Sequence, residues 1–135
     1  AMKRLGLQYS WNRKSILVGI LRKKEDRIRQ IYKWLKSKYP TPYPTQLKLI
    51  RGVKPRSDPG YVILRKRKLI VHIDVKYPLH FCIDTLLHEF GHAISWRHVS
   101  MDPHVPSHSD EWGVCFARIY RAFVDDGGEK ESGEF

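Results

Sequence analysis

The sequence predicts an α+β domain with the element order α-β-β-β-α-α, and three observations predict it. A helical period of apolar residues runs from Ser15 to Tyr39. Three short strand-like runs follow, two of them rich in β-branched residues. Two further helical periods, from Leu79 to about Arg97 and from Ser107 or Ser109 to about Val124, complete the pattern.

In the first helix Ile20, Leu21, Ile28, Ile31 and Leu35 can share a face, with Trp34 beside it. Lys23, Lys24, Arg27 and Lys38 fall largely outside that stripe. Pro40, Pro42 and Pro44 stop the helix, because proline cannot donate to the helical ladder and its ring clashes with the preceding turn. Residues 1–14 form a basic N-terminal segment without an assigned element.

The first strand is expected over Gln46 to Val53, with Leu47 and Leu49 alternating against Lys48 and Ile50. The cluster from Lys54 to Gly60 reads as a turn or loop. Tyr61 to Leu64 and Leu69 to Val75 form a hairpin whose charged tip is Arg65 to Lys68. His72 and Asp74 alternate with Val71, Ile73 and Val75, so they mark the other face of that strand. If this strand is an exposed edge, an extended substrate could pair with it by β-addition.

The second helix buries Leu86, Leu87, Phe90, Ala93 and Ile94. The third turns Trp112, Cys115, Phe116, Ile119 and Phe123 inward. Residues 15–124 are thus expected to make a single domain, followed by a flexible acidic tail over residues 125–135.

A chain of 135 residues with 41% hydrophobic content suffices for one domain with a real core. Two cysteines, Cys82 and Cys115, cannot make a disulfide framework, so nothing points to an oxidising compartment. The apolar run Ile16 to Leu21 is too short to span a bilayer. The expectation is an intracellular protein, cytoplasmic or nucleoid-associated, without a membrane partner. Its oligomeric state is not legible. The charge of +11 is uneven: residues 1–68 hold 20 Lys/Arg against 3 Asp/Glu, and residues 69–135 hold 5 against 11. Such asymmetry suits a basic surface facing a polyanion beside a more acidic half.

His88-Glu89-Phe90-Gly91-His92 is an H-E-x-x-H pentapeptide within the second helix. Residues four apart stack on one helix face, so both imidazoles can reach one ion. Zn²⁺ accepts imidazole nitrogen and prefers four ligands, and it lowers the pKa of a bound water to about 7. Glu89, one residue past the first ligand, is placed to act as general base on that water. Gly91 costs roughly 1 kcal/mol in a helix interior, which suggests close approach of another backbone.

A catalytic zinc needs a third protein ligand and an open position. The downstream candidates are His98, His104, His108, Asp110 and Glu111. His108 is favoured, because its position at the start of the third helix can fold back over the second. Glu111 and then Asp110 follow. Other residues carry weaker expectations. Asp84, four before His88, could orient that imidazole. Tyr120 and Arg118 are candidate oxyanion stabilisers, and the tip Arg65 to Lys68 could contact phosphates or guard the hairpin edge.

Leu86-Leu87-His88-Glu89-Phe90-Gly91-His92-Ala93, followed by His108-Ser109-Asp110-Glu111-Trp112, resembles the SprT-like metallopeptidases, which include the Spartan proteases, and related short zincins of the WLM type. The resemblance implies a minimal zincin-like fold, a zinc cofactor, hydrolysis of protein or peptide substrates, and His108 as third ligand with Trp112 as the aromatic after it. It also implies DNA as a partner of the basic N-terminal half, since family members are associated with cleaving proteins attached to DNA. The cysteine zinc ribbon common in bacterial relatives is missing from the pattern. The sequence is similar, too, to short regulatory peptidases of the ImmA type, which share His-Glu-Phe-Gly-His but take an acidic third ligand. That resemblance implies Glu111 or Asp110. A third reading is a basic nucleic-acid-binding module whose zinc is structural or vestigial.

Overall fold

A computed structural model describes residues 2–52, 58–96 and 108–126. Helix α1 spans Met2–Lys38, strands β1, β2 and β3 span Thr45–Ile50, Gly60–Arg65 and Lys68–Asp74, and helices α2 and α3 span Leu79–Ile94 and Asp110–Asp125. This is the α+β order the sequence pattern predicts. The helix ahead of the sheet is longer than its apolar period, however, and runs from Met2 through the basic segment.

The apolar stripe of α1 does not bury along its whole length. Ile28, Ile31 and Leu35 are buried, whereas Ile20 is 56% exposed and Leu21 38%. Among the described side chains, Lys24 marks where α1 meets the rest of the domain: its ammonium group reaches the carbonyl oxygens of Val75 and Tyr77. Ile16, Ile20 and Leu21 are exposed, so the apolar period there finds no partner surface among the described residues.

The sheet order is β1-β3-β2, with β1 parallel and β2 antiparallel to β3. The β2–β3 hairpin turns through Lys66 and Arg67, whose φ angles of 50° and 62° are left-handed. Two positive φ values in a two-residue connection match the twist of the flanking strands. β3 is therefore the central strand, and it is buried on both faces: Val71 and Ile73 on one, His72 and Asp74 on the other. This corrects the expectation that β3 could be an exposed edge. A strand paired on both sides has no free main-chain groups to offer a substrate, and the open edges belong to β1 and β2.

The core lies between one face of the sheet and the three helices. It joins Ile28, Ile31 and Leu35 of α1 to Val71 and Ile73 of β3, to Leu86, Leu87 and Phe90 of α2, and to Ile119 and Phe123 of α3. Each fully buried large apolar side chain contributes roughly 1.5–3 kcal/mol relative to exposure. The carboxylate of Asp74 accepts from Gly52 N at 3.1 Å and Lys76 N at 3.0 Å, which ties the end of β1 to the turn leading into α2. That tie fixes where α2 begins, and so where its His88–His92 stretch sits against the sheet. Among the described residues no helix is long and apolar enough to cross a membrane.

Candidate metal centre and cleft

Helix α2 buries Leu86, Leu87, Phe90 and Ala93 against the core. The helical period then leaves His88 and His92 together on the opposite side, half-buried, with ring centroids 5.0 Å apart. Helix α3 supplies the third imidazole. Ser109 caps it, accepting a hydrogen bond from Trp112 N at 3.3 Å. The extended backbone of the cap turns His108, immediately before it, back over α2.

The structure thus brings His88, His92 and His108 together, each offering a ring nitrogen, all within 4.8 Å of one another. His108 Nε2 stands 3.1 Å from His88 Nε2. Two nitrogens bound 2.0–2.1 Å from a tetrahedral ion stand roughly 3.3 Å apart, so the His88–His108 pair is spaced for one ion and the three imidazoles together could hold a metal. Asp110 and Glu111 are exposed on the first turn of α3 and belong to no such cluster among the described residues. His98 and His104, the remaining candidates, lie outside the described residues.

The electrostatics favour the neutral imidazole at His88 and His92. Burial pushes His92 down to about 4, with His88 and His108 adding to the effect. His88 is lowered by burial first and by His108 second. Glu89 is 8% exposed and lies 3.8 Å from His88 Nε2. Burial pushes its carboxyl up to about 7, and the negative charge of Asp58 adds to this. A carboxyl balanced between its two forms near neutral pH is suited to exchanging a proton.

Glu89 and His88 open onto a cleft of about 540 Å³. Asp58, Pro59 and Gly60 form one wall, ahead of and at the start of β2. Phe81, Asp84 and Thr85 of α2 and Phe116 and Tyr120 of α3 form the others. Asp84 is therefore a cleft residue, exposed at the rim. Tyr120 also faces the cleft, 45% exposed, while Arg118 is exposed on α3 and does not line it.

Two glycines set the spacing. A Cβ on Gly91 would stand 3.2 Å from Trp112 Nε1 and 3.5 Å from Phe116 Cα, so the close approach anticipated from its helical cost is that of α3 to α2. A Cβ on Gly60 would stand 2.6 Å from Thr85 Cγ2 and 2.7 Å from His72 O, which leaves no space for a side chain beneath Glu89. Sequence reasoning missed this second wall. Gly60 carried only a turn signal, and nothing local links Asp58 to a carboxylate on α2. Comparison with models of known protein families, with curated proteins and with solved structures found no match to this chain.

Proposed function

We propose that this protein is a zinc-dependent metallopeptidase that hydrolyses peptide bonds in protein substrates. The observation that carries the reading is the convergence of His88, His92 and His108 beside a buried carboxyl, Glu89, at the head of an open cleft. A structural zinc site is closed by four protein ligands, whereas three leave a position for water or substrate.

His88, His92 and His108 would hold the ion, and when bound it supplies Lewis acidity to water and to the scissile carbonyl. Glu89 takes a proton from the attacking water as the water oxygen bonds to the carbonyl carbon. The same carboxyl returns that proton to the amide nitrogen as the C–N bond breaks. Burial excludes bulk water around Glu89, and the aromatic walls Phe81, Phe116 and Tyr120 give apolar substrate side chains a place to rest. The open edge of β2, whose first residue lines the cleft, is suited to holding the substrate main chain extended.

The test is metal content by mass spectrometry together with hydrolysis of an unfolded protein. Stoichiometric zinc and cleavage that disappears in Glu89→Gln with zinc retained support the reading. A zinc-loaded wild type that cleaves no unfolded protein, with or without DNA, overturns it.

A second reading makes the substrates nucleic-acid-associated proteins inside the cell. It is favoured by exposed Arg22 and Lys23 on α1 and by the exposed hairpin tip Arg65 to Lys68. Duplex DNA affinity that falls steeply with salt, and that drops when the tip is neutralised, is its expected signature.

A further inference from the structure

A second groove lies away from the histidine cluster, between α1 and the outer edge of β1. Its volume is about 540 Å³ and residues 45–49 line it without a gap. Alternate residues of a strand point to opposite faces. A cavity that touches five in succession must therefore run along the strand's edge, where the main chain itself is open.

The pairing of β1 says which groups are open. Pro44 O accepts from Leu69 N, and Ile50 O accepts from Val75 N. In a parallel ladder the residues between alternate, so Gln46 and Lys48 bond to β3 while Thr45, Leu47 and Leu49 turn N–H and C=O outward. Among the described residues no strand pairs with that edge.

The groove is also strongly basic. Arg29, Lys33 and Lys36 line it from successive turns of α1, and Lys48 from the strand. Arg29 shares its charge with Glu25 and Asp26. Lys33, Lys36 and Lys48 are exposed and form no ion pair with a described residue, and no carboxylate lines the groove. Lysines on an edge commonly serve to repel other strands. Here three of the four cations come from a helix flanking the edge, which makes a walled channel rather than a guarded rim.

We propose that this channel is a docking site for an extended acidic peptide segment, which adds to β1 as a fourth strand with its carboxylates against Lys33, Lys36 and Lys48. A peptide uses both features at once: its main chain pairs with Thr45, Leu47 and Leu49, and its charge meets the lysines. A nucleic acid would use only the charge. The one aromatic ring in the lining, Tyr32, is 9% exposed with its hydroxyl bonded to Thr45 Oγ1 at 2.7 Å, so it offers no stacking platform. The inference does not rest on the metallopeptidase reading.

The experiment is fluorescence anisotropy of a labelled short peptide of alternating Glu and Thr, titrated with the full chain carrying Glu89→Gln so that hydrolysis plays no part. Saturable binding is expected, weakened roughly tenfold or more by Lys33→Glu with Lys36→Glu. Both substitutions are on an exposed helix face. The same peptide N-methylated at every amide keeps its charge, loses its N–H donors and is expected to lose most of its affinity. The proposal is overturned if the N-methylated peptide binds equally well, if the lysine reversals leave affinity unchanged, or if an oligothymidylate binds more tightly and displaces the peptide. Failure here leaves peptide hydrolysis at the histidine site untouched, and failure of hydrolysis leaves this binding untouched.

Discussion

Trp112 of α3 donates its indole N–H to the main-chain carbonyl of His88 on α2, at 3.3 Å. The same ring lies 5.2 Å from His92 at an interplanar angle of 24° and 4.6 Å from His108. One side chain therefore touches all three imidazoles, and it is held from behind by Phe116, stacked at 5.2 Å. Partners that orient metal-binding histidines typically contribute 10–100-fold to affinity. Trp112→Phe is expected to weaken zinc binding by about tenfold, and Trp112→Ala by more, in competition with a chromophoric chelator. Unchanged affinity in both would remove Trp112 from the site.

The identity of the third ligand is open to direct test. His108→Ala is expected to reduce zinc affinity by more than the ~10–100-fold that loss of an outer partner costs. Glu111→Ala and Asp110→Ala are expected to leave it within a few-fold of wild type, because both carboxylates are exposed away from the cluster. Retention of stoichiometric zinc by His108→Ala and its loss in Glu111→Ala would reverse the assignment.

Glu89→Gln keeps the shape of the side chain and removes its basicity. General-base catalysis contributes typically 10²–10⁴-fold, so hydrolysis is expected to fall by at least about a hundredfold with KM little changed. Zinc content measured on the same preparation separates this from loss of the metal. A variant that cleaves at the wild-type rate would mean that Glu89 is not the base.

Gly60 tests the packing beneath the site. Alanine there places a methyl group 2.6 Å from Thr85 Cγ2, 2.7 Å from His72 O and 3.3 Å from Glu89 Cγ. Because one neighbour is main chain of the central strand, relief requires β2 to move. Overpacking of this kind costs about 1–3 kcal/mol, which urea denaturation would read as a lower midpoint. Wild-type stability in Gly60→Ala would show that β2 does not pack against α2 in this way.

His72 predicts a pH effect that does not involve the three clustered histidines. Burial lowers its pKa below the ordinary 6.5, and its ring stacks on Tyr61 at 4.1 Å. Above 6.5 the imidazole is neutral in both folded and unfolded chains and contributes no pH dependence. As pH falls through 6.5 the unfolded chain takes up the proton first, so stability declines toward the lowered folded value. His72→Phe keeps a ring against Tyr61 and removes this loss. Its Tm relative to wild type is expected to rise from pH 8 to pH 5, and a constant difference between those two pH values would exclude the mechanism.

How much was legible in the sequence depended on how local the signal was. The pentapeptide spacing placed His88, Glu89 and His92, since a helix alone puts residues four apart on one face. Ser107 or Ser109 and the proline run marked helix ends because caps and breakers act on their immediate neighbours, and the structure shows Ser109 as the cap; the β-branched runs gave the hairpin. Gly91 was legible as a close approach, though not what approached. The extension of α1 to Met2 was missed because its first turns lack a clean apolar stripe. The exposure of Ile20 and Leu21 was missed because periodicity records what could bury, not whether a partner is there.

The sequence by itself determined that His88 and His92 share one helical face with the Glu89 carboxyl beside them, because helical geometry is set by neighbours along the chain. Only the tertiary structure decided the rest. It chose His108 over the nearby carboxylates for the cluster, put Trp112 against three imidazoles, made β3 central and left β1 as a basic open edge. Each of these depends on how separate elements pack, and packing is fixed by burial of Ile28, Ile73, Phe90 and Ile119 in one core, which no short stretch of sequence encodes.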